Sequence, residues 1–223
     1  MNSEYENKIV LSGGVFDLDK FNNSAHIIIK GDTIVNAINL HNNMNLYIKL
    51  EEGVSLIFNM FDYAVSLETN IVVEADENSS FVVNAAFISE NKYNLDVETK
   101  FYGNNIDGTV NIRGINEREG TVKVLMEGTV AGETHGNVLN EYARVLNKSE
   151  FSNVLIPNLI VNTSEVEANH GVSVGHIDES ELFYMMSKGI SKTNATKLIE
   201  EGFILSIMDE EVKQKILNIL VGR

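Results

Sequence analysis

The chain has 223 residues, 43% apolar and 22% charged, the make-up of a globular protein with a core of its own rather than a disordered one. Its 32 acids against 17 bases leave a net charge of −15, and no run of Lys or Arg supplies the basic footprint that nucleic acid or an anionic membrane surface requires. The absence of cysteine excludes disulfides, thiolate nucleophiles and Cys zinc sites.

Met1 to Asn7 has neither the basic nor the apolar region of a secretory leader, and no apolar stretch approaches the ~18 residues of a membrane span, so a cytoplasmic address is expected. From Lys8 to Val161 the chain is a series of short runs rich in Val, Ile, Phe and Thr. These are Ile27 to Ile29, Leu46 to Leu50, Val54 to Phe58, Ile71 to Ala75, Phe81 to Ile88, Leu95 to Tyr102, Thr109 to Arg113, Thr121 to Met126 and Ala143 to Leu146. Leu46, Ile48 and Leu50 alternate strictly with Tyr47 and Lys49, the signature of a strand with one buried face. Gly31-Asp32, Glu52-Gly53, Asn104-Asn105, Asp107-Gly108 and Glu119-Gly120 predict corners, because these residue types accept the backbone angles of tight turns. Ile38 to Asn45 reads as a loop or short strand, and Asn59 to Leu67 as a bulged strand or a brief helical turn.

Strand-sized pieces without intervening helices restrict the class to a sandwich, a barrel or a β-solenoid. A single proline and Asn-rich corners favour the solenoid, in which side-chain amides ladder from one rung to the next.

After His176 the period lengthens to about 3.6 residues. Asp178 with Glu181 opens a first helix with Leu182, Phe183, Met185 and Met186 as its apolar stripe, read as core, and Gly189 closes it. Ser191 caps a second helix carrying Ala195, Leu198, Ile199 and Phe203, and Asp209 a third carrying Val212, Ile216, Leu217 and Leu220. Three helices this short must pack on the β body or on another chain.

Of the five histidines, His170 stands beside Gly171 in an uncrowded context, and a neutral imidazole is a competent iron ligand; the plainer alternative is a histidine bonded to a backbone carbonyl. His176 reads as solvated, and a pairing of His135 with His170 requires neighbouring rungs to align. Glu165 and Glu167 are nearby carboxylates in a chain where acids are common.

The landmarks Ile156-Pro157-Asn158-Leu159-Ile160-Val161, Glu167-Ala168-Asn169-His170-Gly171-Val172-Ser173-Val174-Gly175-His176-Ile177-Asp178, Glu181-Leu182-Phe183-Tyr184, Ser187-Lys188-Gly189-Ile190 and Gly202-Phe203 resemble, in order, those of the SufB/SufD family of iron-sulfur cluster assembly. Fainter likeness in Glu51-Glu52-Gly53-Val54 and Gly128-Thr129-Val130-Ala131-Gly132 extends it over most of the β region. Tyr142 stands where the scaffold-type subunit has a cysteine, and Asn169-His170-Gly171 replaces its E-H-E, so the resemblance is to the SufD-like side.

The resemblance implies a right-handed parallel β-helix over 1–177 and a small helical domain over 178–223, a minimal form without the N-terminal helical domain of longer members. It implies a non-catalytic subunit that pairs edge to edge as a homodimer, or as a heterodimer with a SufB-like paralogue. A SufC-like ABC-type ATPase would dock on the helices, with Ser191, Lys192, Lys197, Glu200 and Phe203 as the candidate region. His170 would lie at the subunit interface as a ligand to iron or a transient cluster, none being tightly held. The chain lacks a G-x-x-x-x-G-K-[ST] phosphate loop of its own. Two rivals are a metal-free structural adaptor of the same fold and a β-helix enzyme acting on polysaccharides, which would want paired carboxylates along an aromatic groove.

Overall fold

The computed structural model describes residues 8–18, 24–38, 41–118, 120–148 and 153–221. Among these residues twelve strands and three helices follow one another with no helix among the strands. The strands are β1 (Lys8–Asp17), β2 (Ser24–Ile38), β3 (Met44–Leu50), β4 (Ser55–Ala64), β5 (Leu67–Ala75), β6 (Ser80–Ser89), β7 (Tyr93–Phe101), β8 (Asp107–Asn116), β9 (Val122–Val130), β10 (Asn137–Asn147), β11 (Val154–Val161) and β12 (Val166–Gly175). Every pairing is parallel.

The strands stack in two series. One runs β3, β5, β7, β9, β11 and the other β4, β6, β8, β10, β12; β2 joins both, pairing its first half with β3 and its second with β4. Each rung therefore lays one strand in each series, turns a corner between them and returns one layer higher, as in a β-helix. Rung length is not fixed: laddered asparagines are separated by 23 residues at Asn36 and Asn59, 27 at Asn84 and Asn111, and 29 at Asn140 and Asn169, which is why no sharp sequence period exists.

Alternation builds the interior. β3, β5, β7 and β9 bury every second residue, and the facing strands contribute Phe58, Val83, Val110 and Leu139 to the same core. Corners stack on corners through backbone bonds, Gly53 N–H donating to Glu77 O at 3.0 Å and Asn78 N–H to Asn104 O at 2.9 Å. Gly53 (φ +72°) sits in the left-handed region, as does Asn105 (φ +54°). Asp107-Gly108 is not a corner: it opens β8 just after one, and a Cβ on Gly108 would sit 2.5 Å from ring carbons of both Phe81 and Phe101. That glycine makes room for aromatic packing. Asn59 to Ala64 continues β4 as strand, the Ile38 to Asn45 stretch is described only from His41 onward after Ile38 ends β2, and Glu119 lies outside the described residues.

The amide ladder forms at a corner, Asn105 Nδ2 donating to Asn78 Oδ1, and along the strands as a column of Asn36, Asn59, Asn84 and Asn111. In that column each Nδ2–H donates to the Oδ1 of the rung before at 3.0 to 3.1 Å. Buried amides in this array satisfy one another.

The helices are α1 (Glu179–Ser187), α2 (Lys192–Leu205) and α3 (Glu210–Val221). Asp178, Ser191 and Asp209 cap them as the sequence predicts, accepting from the N–H of Ser180, Asn194 and Val212. Gly189 (φ +87°) follows α1, where a residue with a Cβ would be strained. Ile204, Leu205, Met208, Val212, Ile216 and Leu220 pack on Phe61, Ala86, Ile88, Ile115 and Leu146, so α2 and α3 share a second core with the sheet. Lys148 reaches from the end of β10 to the buried Glu200 at 2.8 Å, and Lys215 of α3 meets both oxygens of Asp17 at 3.0 Å. The α1 stripe differs from expectation: none of its residues is buried, and Phe183 and Tyr184 are 72% and 63% exposed. The sheet beside it is already covered by α2, so α1 has no core to fill. Among the described residues no helix is long and apolar enough to cross a membrane.

Candidate functional site

β11 and β12 form the last rung. Each has a strand partner on one side only, β9 and β10, and among the described residues nothing pairs with their outer edges. Their inward side chains show it: Val172 and Val174 of β12 are exposed and Leu155 and Leu159 of β11 only half-buried, where the layer below them is buried, while Val154, Ile156 and Ile160 give β11 an exposed apolar outer face. A solenoid end with apolar side chains and open backbone groups is a surface that natural folds cap, pair or blunt.

His170 lies in the middle of β12, with Glu141 of β10 as its Cα partner. Residues paired in parallel register project to the same side of a sheet, so the inward series of β10, Asn137, Leu139, Glu141, Ala143 and Val145, continues into Val166, Ala168, His170, Val172 and Val174 of β12. His170 thus caps the interior column Phe58, Val83, Val110 and Glu141, and is exposed because no further rung covers it.

Glu141 is the residue that sequence reasoning passed over. It is fully buried, and neither carboxyl oxygen meets a hydrogen-bond partner among the described residues. Burial first, and the charge of Glu127 second, push its carboxyl up to about 7. Its position in the alternating run Asn137 to Val145 carried the signal: an acid at an inward place. Across the interior stands Gly128 of β9, where a Cβ would come 2.4 Å from Leu139 Cδ2 and 2.9 Å from Glu141 Oε1, so the space of the missing side chain is shared by Leu139 and the carboxylate.

The other candidates are dispersed. His135 sits exposed in the corner before β10, six positions along the strand from Glu141 or ~20 Å from the His170 level at strand rise, so the two histidines are not neighbours. His176 Nδ1 lies 2.9 Å from Asn147 O. Glu165 and Glu167 are exposed, and Tyr142 packs its ring against Gly171 on the outer face. Among the described residues no three His, Asp or Glu side chains converge as a metal site.

The docking candidates divide by face. Lys192 and Lys197 are exposed and Ser191 is the α2 cap, whereas Glu200 is buried on Lys148. Phe203 is half-buried with the guanidinium groups of Arg113 and Arg144 at 5.7 and 5.6 Å from its ring centroid. Burial, then Arg144 beside it, lowers the pKa of Arg113. Glu200 and Phe203 hold α2 to the sheet. The large apolar groups exposed on α1 and α2 are Phe183, Tyr184 and Met186 of α1 and Leu198 of α2, and Val221 is exposed at the end of α3.

Residues 51–203 match the family model described as "SUF system FeS cluster assembly, SufBD core domain". The chain is 27% identical over 135 residues to an iron-sulfur cluster assembly SufBD family protein of Pyrococcus horikoshii, covering 57% of this chain and 29% of that one. It is 34% identical over 68 residues to the iron-sulfur cluster assembly protein SufD of Bacillus subtilis, covering 29% of this chain and 16% of that protein. With SufD of Escherichia coli it shares 34% over 65 residues, 27% of this chain and 15% of the other. The matched stretches thus span less than a third of these relatives.

Proposed function

The chain belongs to the SufBD core family of the SUF system of iron-sulfur cluster assembly, on its SufD-like side, and from that membership we propose that it is a non-catalytic subunit whose open rung pairs with a second subunit, His170 lying at the seam. The observation that carries this reading is the uncovered last rung, where unpaired edges and exposed valines coincide with the one inward-facing histidine. A second rung laid against β11 and β12 would bury that apolar rim and satisfy the free backbone groups. The second subunit is either another copy or a SufB-like paralogue. A Cys-bearing paralogue fits the chemistry better, because clusters are held mainly by thiolates and this chain has none.

The helical end is the proposed dock for a SufC-like ATPase. Its exposed face of Phe183, Tyr184, Met186 and Leu198, with Lys192 and Lys197 beside it, pairs aromatic anchors with charge in the manner of protein interfaces. Closure of the ATPase would strain the seam and open His170 to iron, sulfide or a cluster. Iron and the cluster are cargo in this scheme.

Anaerobic reconstitution of the chain with ferrous iron and sulfide, alongside His170→Ala, tests the reading. Reduced uptake in the variant is expected, and equal uptake removes His170 from the scheme. The lack of cysteine and of any convergent three-ligand group among the described residues favours one second reading, a metal-free adaptor that joins the ATPase to a cluster-bearing partner. That reading predicts equal, near-background iron in both proteins together with intact ATPase binding.

A further inference from the structure

We propose that Glu141 is a second ligand, with His170, for a ferrous ion carried at the open end of the solenoid. The inference rests on the reading of His170 given above and adds to it the group that makes a site of a single imidazole.

Glu141 sits fully buried with both carboxyl oxygens unpartnered among the described residues. A glutamine or leucine would fill the same volume without bringing a charge into the interior, so an acid here needs a counterpart. No Lys or Arg ion pair reaches it among the described residues. The neighbour the fold does provide is His170, in register one strand away, about 4.8 Å between backbones, on the same inward side of the sheet. The column ends there, one layer below the open rung, so an ion reaches the covered carboxylate by displacing side chains of the last layer alone and does not have to cross the body.

The opposite wall is cut to fit. Gly128 faces the carboxylate with no side chain, and below it in the same inward column stands Thr99, a buried hydroxyl that also lacks a partner among the described residues. The same Cβ on Gly128 would also run into Leu139 Cδ2 at 2.4 Å and Leu159 Cδ2 at 3.0 Å, so leucines confine the polar gap.

One carboxylate oxygen and one imidazole nitrogen are a donor set suited to a borderline divalent ion such as ferrous iron, and too few to retain it. The remaining coordination positions stay open to water, to sulfide or to ligands of the second subunit. Weak, incomplete ligation is what a subunit that passes iron onward requires.

The test is an anaerobic titration of the metal-free protein with ferrous ammonium sulfate, read by calorimetry, on the native chain, Glu141→Gln, His170→Ala and the double variant. Each single variant is expected to bind at least tenfold more weakly, with the double variant no weaker than either, since both act on one ion. Glu141→Asp, which keeps the carboxylate on a shorter stem, should bind more tightly than Glu141→Gln; equal weakening by the two would assign the loss to packing and overturn the proposal. If Glu141→Gln binds like the native chain while His170→Ala does not, Glu141 is no ligand and the reading of His170 stands. If both bind like the native chain, no ion sits here and the reading of His170 falls as well. Lost binding in Glu141→Gln with full binding in His170→Ala would place the ion on the carboxylate alone and overturn the shared site.

Discussion

The replacement Glu141→Gln has a pH signature that follows from where the carboxyl sits. Burial moves its pKa from 4.5 to about 7, so the folded chain takes up a proton at a higher pH than the unfolded chain does. Below the unfolded value both states are protonated and the acid carries no penalty. Between the two values the folded state binds more protons, and stability falls as pH rises; above the folded value the loss is complete. The raised pKa is worth about 1 kcal/mol of instability at pH 5.5 and about 3 kcal/mol at pH 8. Glu141→Gln abolishes the titration while keeping the shape, so the variant should gain on the native protein by about 2 kcal/mol between those pH values. Urea unfolding of both proteins with chelator present, from pH 5.5 to 8, measures the gap directly, provided the denaturant slope is unchanged. Two stability curves that stay parallel across the range would show that Glu141 is either solvated or paired in solution, and would refute the burial on which the argument stands.

Four further expectations concern the frame. Asn84→Ala removes the middle of the amide ladder, leaving Asn59 Oδ1 and Asn111 Nδ2 without their bonds, and should cost about 2–3 kcal/mol in urea unfolding; a cost near zero would mean that water replaces the amide freely. Lys148→Met strands the buried Glu200 and should destabilise by about 1–3 kcal/mol, with faster amide exchange in α2 than in the strands; uniform exchange would contradict the role given to that ion pair. Gly108→Ala drives a methyl group into Phe81 and Phe101 and should cost about 1–3 kcal/mol, whereas a neutral outcome in thermal unfolding would return Gly108 to the corner role its sequence suggests. Replacing Phe183 and Tyr184 together by Ser should change stability by less than about 0.5 kcal/mol yet reduce recovery of the proposed SufC-like ATPase; unchanged recovery would move the dock elsewhere.

Much of this fold is legible in the sequence because its signals are local. Alternation marked the strands from Leu46 onward, and Asp178, Ser191 and Asp209 announced the three helices through side chains that bond only a few residues ahead. What the sequence hid depends on residues one rung away. Gly108 has the composition of a turn, and only the rings of Phe81 and Phe101 make it a packing glycine inside β8. The apolar face of α1 has the periodicity of a core helix, but α2 and α3 occupy the sheet, so the same residues form a surface. Glu200 and Phe203 look like surface positions until Lys148 and the stacked Arg113 and Arg144 draw them inward. His170 stands out in the sequence by its immediate neighbours, while Glu141, the second ligand proposed for it, is adjacent only through the register of β10 and β12.

The most direct test of the central claim, that the last rung is the seam, is hydrogen exchange on the chain alone and in the complex purified with its native partners. The amides of β11 and β12 should exchange quickly in isolation and become strongly protected in the complex, with β1 at the far end of the solenoid unchanged. Protection that falls on β1 or on the helices alone, leaving β11 and β12 as fast as before, would contradict it.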